Sequence, residues 1–325
     1  MRNLRLERGK ENFCSGKDVS WDIGWEENMD YFHGTTDFRM EQASAVTLGK
    51  FDGVHLGHQK LMQRIKELEK AQVDSVVFAL NSCTKDRILT EEEQKFVIRQ
   101  MGIFCLIQCP FTPDIAGMEP EQFVKSVLMD RLHAKYIVVG TDFRFGYHRM
   151  GDVETLKKLQ SKYGFYAEIL PKERFKDREI SSTYVKEALM EGNMKLANRL
   201  LGRPYFVSGI VRHGRKIGRT LGMPTVNLLP VKEKLLPPNG VYVSRTLIGG
   251  IFYPGITNIG YKPTVGEKFR GVETYLFDVD MDLYGTEILT ELLFFVRAEK
   301  RFASLQELKY QMQRDISFGR EYFGG

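Results

Sequence analysis

Apolar residues fall along this chain in two different rhythms. From about residue 43, short apolar runs alternate with stretches whose apolar positions recur every three or four residues. SAVTL (44–48), DSVVFAL (74–80), IFCLIQ (103–108), YIVVG (136–140) and YAEIL (166–170) predict five strands. Between them, Leu61, Ile65 and Leu68 mark a helix after the first strand, and EEEQKFVIRQM (91–101) marks another. EPEQFVKSVLMDRL (119–132) predicts a third, with its acids at the front, where they complement the macrodipole. Such alternation predicts an α/β unit, a parallel sheet with helices on both faces, whose ligands bind beyond the carboxyl ends of the strands.

The second rhythm starts near residue 203. SSTYVKEALMEG (181–192) and NMKLANRLLG (193–202) predict two short helices, each closed by glycine. After Pro204 come YFVSGIVRH, GVYVSRTLIGG, IFYPGITNIG, VETYLFDVD and ILTELLFFVRA, short strands punctuated by glycine and proline. They predict a small antiparallel barrel. A final helix, SLQELKYQMQRD (304–315), would present Leu305, Leu308 and Met312 as one stripe. Residues 1–28 are charged and follow neither period, which predicts a poorly ordered extension. The expected organisation is therefore 1–28 extension, 29–203 α/β domain and 204–325 barrel domain with a C-terminal helix.

Composition adds exclusions. A length of 325 residues suits two domains, and 42% hydrophobic with 27% charged residues is ordinary globular content. No apolar run approaches the roughly 18–20 residues that span a bilayer, so no membrane partner is expected. A net charge of +5 would attract anionic ligands but is no nucleic-acid signature. Cys14, Cys83, Cys105 and Cys109 form no CxxC pair, and no secretory signal is evident. Buried free thiols and a reducing cytoplasm are expected.

The stretch GKFDGVHLGHQ (49–59) concentrates the chemistry of the first half. It joins the first strand to the first helix, so His55 and His58 lie on the helix's first turn. Free N–H groups and partial positive charge there suit a phosphate. Gly57 would let backbone approach the anion, and two imidazoles could stabilise developing charge. A zinc site is a rival reading that lacks an evident third ligand; an ordinary turn is another.

GKFDGVHLGHQ resembles the signature of the adenylyltransferase half of prokaryotic bifunctional riboflavin kinase/FAD synthetases, and three further stretches match that family. VVGTDFRFGYHRMGD (138–152) is similar to its DFRFG motif and ISSTYVKEAL (180–189) to its SSTxIR motif, while MDYFHGTTDFRMEQ, at Met29, resembles its usual start. In the second half, HGRKIGRTLGMPTVNLLP (213–230) resembles the riboflavin kinase glycine-rich loop and PTxN motif. NIGYKPTVG, VETYLFDVDMDLYG and RAEKRFASLQELKYQMQRD follow in the family's order. The resemblance covers about residues 29–318. It implies a nucleotidylyltransferase domain of Rossmann type followed by a riboflavin kinase barrel. It implies ATP and Mg²⁺, with riboflavin and FMN as substrates.

The resemblance also assigns roles. Gly49, Phe51, Asp52, Gly53, Gly57, His55 and His58 would form the adenylyl-transfer loop, the two histidines stabilising the transition state. Asp142 and Phe143 would help bind a nucleotide or flavin group. Ser181, Ser182, Thr183 and Lys186 would face the ATP phosphates, although a plain N-cap explains the hydroxyls equally well. In the barrel, Gly214, Lys216, Gly218, Arg219, Thr220, Gly222 and Pro224 would cradle phosphates. Thr225 and Asn227 would hold Mg²⁺, and Glu273 would be the general base for the ribityl hydroxyl.

Two departures stand out. VFALNSCTKDRILT (77–90) replaces a family segment of the TFDPHP type, and Lys186 stands where SSTxIR has arginine. Lysine keeps the charge but loses the planar fork. Both changes bear on FAD synthesis rather than on the kinase. The leading reading is an enzyme making FMN and then FAD. The alternatives are a riboflavin kinase with a weakened first module, and a flavin-responsive regulatory or RNA-binding protein.

Overall fold

A computed structural model describes residues 29–81, 85–214, 222–263 and 268–324. The first sheet has the strand order β1-β4-β3-β2-β5-β6, and every neighbour is parallel. Its strands are β1 (Asp30–His33), β2 (Ser44–Gly49), β3 (Asp74–Asn81), β4 (Cys105–Pro110), β5 (Ala134–Gly140) and β6 (Tyr166–Leu170). The sheet's middle strands carry near-continuous apolar runs because both faces are covered. All of 44–48 and 105–109 are buried. The edge strand β1, DYFH, has no such run and was not expected from the pattern.

The helices of this half are α1 (Leu56–Glu67), α2 (Glu91–Gln100), α3 (Pro113–Ala116), α4 (Pro120–Phe123) and α5 (Val153–Tyr163). α2 begins with a capping box: Thr90 Oγ1 accepts from the Glu93 N–H, and Glu93 Oε2 accepts from the Thr90 N–H. The helix expected over 119–132 is instead one α turn running into a π-helical segment, Val124–Met129, which buries Val124, Val127 and Leu128 together. A small hairpin follows β6, formed by β7 (Arg174–Phe175) and β8 (Arg178–Glu179).

α6 (Ser182–Met190) and α7 (Met194–Leu201) lead into a second sheet, antiparallel throughout, ordered β10-β13-β12-β11-β14-β9. These strands are β9 (Tyr205–Ile210), β10 (Thr225–Leu228), β11 (Gly240–Ile248), β12 (Ile251–Pro263), β13 (Lys268–Leu276) and β14 (Glu287–Ala298). Arg212, just beyond β9, bridges to Asn227 in β10, so the sheet curls until its two edges nearly meet. The C-terminal helix α8 (Leu305–Tyr322) runs past the expected stretch, with Leu308 and Met312 half-buried on its inner face. Leu305 is 63% exposed, whereas Asp315 and Gly319 are buried. A Cβ on Gly319 would lie 2.7 Å from Ile256 Cδ1, so the helix contacts the sheet through glycine.

The two sheets share packing. One apolar cluster joins Ile88, Val185, Leu189, Leu200, Val207, Tyr242 and Leu292. Within this junction the side chains of Lys234 and Glu93 are almost wholly buried and pair at 2.6 Å.

Candidate active sites

The first site grows from the end of β2. After Gly49 the chain turns through residues 50–54, and His55 is the N-cap residue of α1. The rings of His55 and His58 stack, with centroids 3.6 Å apart and planes 20° apart, and Phe51 meets His58 edge-on at 5.2 Å. Gly57 makes room for this stack, since a Cβ there would lie 3.2 Å from His55 Cε1. Gly49 lies under the Phe51 ring, and Gly53 (φ +85) is pressed against Ile88. Burial lowers His55 to about 4, with Arg203 adding to the effect and Asp52 opposing it. Burial, then the neighbouring His55, holds His58 well below its usual value. Both rings are therefore neutral at pH 7, each with a buried Nδ1 that has no partner. A stacked neutral pair at a helix N-terminus can accept polyphosphate without like-charge repulsion between the rings, and charge is supplied as phosphates arrive.

The lowered values have a consequence for stability. Below about 6.5 the unfolded chain protonates these histidines while the fold, down to about 4 for His55, does not. Stability is thus fully present above pH 6.5 and is lost as pH falls toward 4, by about 2 kcal/mol at pH 5 for His55. Urea midpoints of wild type and His55→Gln are expected to separate less at pH 5 than at pH 7. Parallel pH curves would contradict the burial of His55.

Asp52 is tied on two sides: Oδ1 accepts from the Ile88 N–H at 2.8 Å, and Oδ2 pairs with Lys186 Nζ at 2.8 Å. Ser182 Oγ donates to the Asp52 carbonyl at 2.8 Å. Ser181 is the N-cap of α6, accepting from the Tyr184 N–H, while Thr183 is exposed on its first turn. The SST stretch and the FDG loop therefore meet, as Lys186 and Ser182 both reach Asp52. Beyond the adjacent β5, Asp142 is exposed and pairs with Lys172 at 2.9 Å. Phe143 stacks on the buried Phe145 at 5.4 Å. Lys172, Gln94 and Arg203 were not legible as site residues, because each reaches its partner from a distant element with no local motif around it.

The second site lies on the curled sheet. Thr225 and Asn227 alternate along β10 and so share a face. Asn227 is opposite Glu273 in the β10–β13 register, and Thr225 Oγ1 donates to Glu273 Oε1 at 2.6 Å. Gly214 abuts them, since a Cβ there would lie 2.5 Å from Asn227 Nδ2. A cavity of about 340 Å³ opens beside this group, lined by Pro224, Thr225, Asn227, Asp280 and Tyr284 among others. Asp280 is exposed at the cavity's edge, and Asp278, also exposed, pairs with Arg320 at 2.7 Å. Gly222 is left-handed (φ +77) with open space around its Cα. Lys216, Gly218, Arg219 and Thr220 lie outside the described residues.

A helix-N-terminal histidine pair on a parallel α/β sheet, followed by a Thr-Asn-Glu group on an antiparallel barrel, defines a two-module nucleotide-dependent transferase. Comparison with known proteins is specific. Residues 37–184 match the FAD synthetase family model and residues 201–323 the riboflavin kinase model. The chain is 39% identical over 294 residues to a bifunctional riboflavin kinase/FMN adenylyltransferase of Buchnera aphidicola subsp. Acyrthosiphon pisum (strain APS), covering 86% of this chain and 93% of that one. Proteins of the same description from Escherichia coli (strain K12) and Bacillus subtilis (strain 168) are each 37% identical, covering 87% of this chain and 94% of theirs. A crystal structure of a Streptococcus pneumoniae protein described as a macrolide-efflux protein superposes with a TM-score of 0.78 at 29% identity, covering 89% of this chain and 97% of that one. Among the described residues no helix is long and apolar enough to cross a membrane.

The chain belongs to the bifunctional riboflavin kinase/FMN adenylyltransferase family. Its activities are riboflavin phosphorylation and FMN adenylylation, with ATP as co-substrate of both.

Proposed function

We propose that residues 29–203 carry adenylylation and residues 204–325 carry phosphorylation, through the groups described above. The observation that carries the kinase assignment is the hydrogen-bonded Thr225–Glu273 pair with Asn227 opposite Glu273, Thr225 and Asn227 lining a cavity. In this reading the ribityl 5′-oxygen attacks the γ-phosphorus of ATP, its proton passes to Glu273, and ADP leaves.

Mg²⁺ is proposed at Thr225 and Asn227. The donor set fits: both offer hard oxygens on one face, and the Thr225 hydrogen points at Glu273, leaving its lone pairs available. Among the described residues no group of three His, Cys, Asp or Glu side chains is arranged as a metal site, so phosphate oxygens and water would complete the shell. The ion would supply neutralisation of phosphate charge.

In the first module an FMN phosphate oxygen attacks the α-phosphorus of ATP and pyrophosphate leaves. His55 and His58 stabilise the charge that develops, with the first turn of α1 behind them. Asp142 and Phe143 contact a nucleotide or flavin group, and Ser181, Ser182 and Thr183 face phosphates. Lys186 acts through Asp52: its ammonium keeps the FDG loop in place. Replacing Lys186 with Met removes a charge-assisted bond of roughly 1.5–3 kcal/mol, so adenylylation is expected to fall about 10- to 150-fold with the kinase unchanged. Equal adenylylation by wild type and Lys186→Met would remove Lys186 from the site.

The test of the whole reading is incubation with riboflavin, ATP and Mg²⁺, with FMN and FAD separated over time. Because Lys186 is committed to Asp52 and 77–90 departs from the family pattern, FMN is expected to accumulate before FAD. An adenylylation turnover equal to or above kinase turnover at saturating substrates would contradict that order. A reducing, cytoplasmic setting belongs to the same proposal and is supported by two buried free thiols, Cys105 and Cys109, the latter pushed up to about 11 by burial. Neither a nucleic acid nor a membrane is among the proposed partners.

A further inference from the structure

The loop that delivers His55 has a backbone it could not keep unaided. Phe51 (φ 50), Gly53 (φ 85) and Val54 (φ 42) are all left-handed. A β-branched residue rarely occupies that region, and such a segment persists only where its surroundings over-determine it. Here every carbonyl from residue 50 to 54 is held by a side chain. Gln94 Nε2 donates to the carbonyls of Lys50 and Phe51 at 3.0 Å each. Ser182 holds that of Asp52 at 2.8 Å. Arg203 Nη2 donates to the Gly53 carbonyl at 2.8 Å, and Arg203 Nη1 to that of Val54 at 3.1 Å. Gln59 Nε2 also donates to Val54, at 2.8 Å.

Arg203 lies at the boundary between the two domains, and a second cation, Lys234, reaches the same region from the barrel. Arg203 sits at the junction between α7 and β9. Lys234 follows β10, the strand that carries Thr225 and Asn227, and its Nζ donates to the Ile88 carbonyl at 2.8 Å and the Phe206 carbonyl at 2.9 Å while pairing with Glu93. Ile88 passes the restraint on, since its N–H holds Asp52. Arg203 is a planar fork spanning two adjacent carbonyls, a geometry that a single ammonium cannot reproduce.

We propose that Arg203 and Lys234 are positioning residues for adenylyl transfer, a cationic clamp at the boundary between the two domains that holds the strained 51–54 loop and so places His55 and His58. The inference rests on the assignment of that histidine pair to adenylylation. The hydrogen bonds of Arg203 go to the carbonyls of Gly53, Val54 and Leu201 and those of Lys234 to Ile88, Phe206 and Glu93, whereas the kinase group is built on Thr225, Asn227 and Glu273. Loss of the clamp should therefore lower adenylyl-transfer turnover without altering phosphorylation, because misplacement of about 1 Å can cost on the order of 100-fold in rate.

The experiment measures both activities of the full chain for Arg203→Met, Arg203→Lys, Lys234→Met and, in parallel, His58→Ala. Arg203→Met is expected to lower the kcat of FMN adenylylation about 10- to 100-fold with KM for FMN and ATP within about threefold. Kinase kcat should be unchanged, and Arg203→Lys should recover part of the loss. Lys234→Met, one link further from the loop, should show a smaller loss of the same selectivity. Unchanged adenylylation in Arg203→Met, or a parallel fall of both activities, would overturn the clamp. Should Arg203→Met not yield folded protein, Arg203→Lys decides: a selective fall in adenylylation supports the clamp, and wild-type rates refute it. If His58→Ala itself retains adenylylation, the assignment of the histidine site has failed instead.

Discussion

Glu273→Gln is expected to lower riboflavin phosphorylation by about 10²–10⁴-fold, the span usual for loss of a general base. Gln preserves the shape of the side chain, and its Oε1 can still accept from Thr225 Oγ1, the bond that aligns Glu273 at 2.6 Å. What it cannot do is take the proton from the ribityl hydroxyl. The β10–β13 register that places Asn227 opposite residue 273 depends on backbone ladder bonds and should survive. Adenylylation of supplied FMN should therefore continue at the wild-type rate. The measurement is initial-rate FMN formation from riboflavin beside FAD formation from FMN. A normal kinase rate in the variant would take the base role away from Glu273.

His58→Ala is expected to reduce FAD formation by about 10²–10³-fold, comparable to the removal of one preorganised donor at a developing charge. Two effects combine. The ring offered to the phosphates is lost, and the His55 ring loses the partner stacked on it at 3.6 Å. Phe51, edge-on to His58, also loses its contact. Phosphorylation of riboflavin should be spared, because the Thr225–Glu273 group lies on the other sheet. Loss of both activities together would indicate a folding defect or a shared site. His58→Asn, which keeps a donor on a short side chain, should lie between the two.

The histidine pair also shows how far local pattern reaches. HxGH after an apolar run places both rings on the first turn of a helix, because strand, turn and helix signals all lie within a few residues of one another. The PTxN stretch likewise identifies a strand with two oxygen donors on one face. For the same reason five of the six parallel strands were readable as apolar runs. The edge strand β1 was not, because DYFH has neither alternation nor a continuous apolar run. Leu308 and Met312 lie half-buried on the inner face of α8, but that face starts one turn later than expected and runs on to Gly319. Leu305 is exposed there, and the face is completed by Asp315, which Arg297 holds at 2.6 Å, and by Gly319 against Ile256. No hydrophobic periodicity announces an aspartate or a glycine as a packing residue.

What the sequence by itself determined is most of the strands, the two rhythms, and the chemical groups offered at GKFDGVHLGHQ, PTVN and Glu273. These depend on residues close together in the chain or on one strand's alternation. Only the tertiary structure decided the protonation of His55 and His58, since that follows from burial and from Arg203 and Asp52 converging on one space. It alone decided that Lys186 serves Asp52 and that Lys234 meets Glu93 in a dry junction. It alone decided that Arg203 grips the carbonyls of Gly53 and Val54. Each of these joins groups far apart in sequence. Their strength comes from exclusion of water at the point where they meet, a property that no local stretch of sequence possesses.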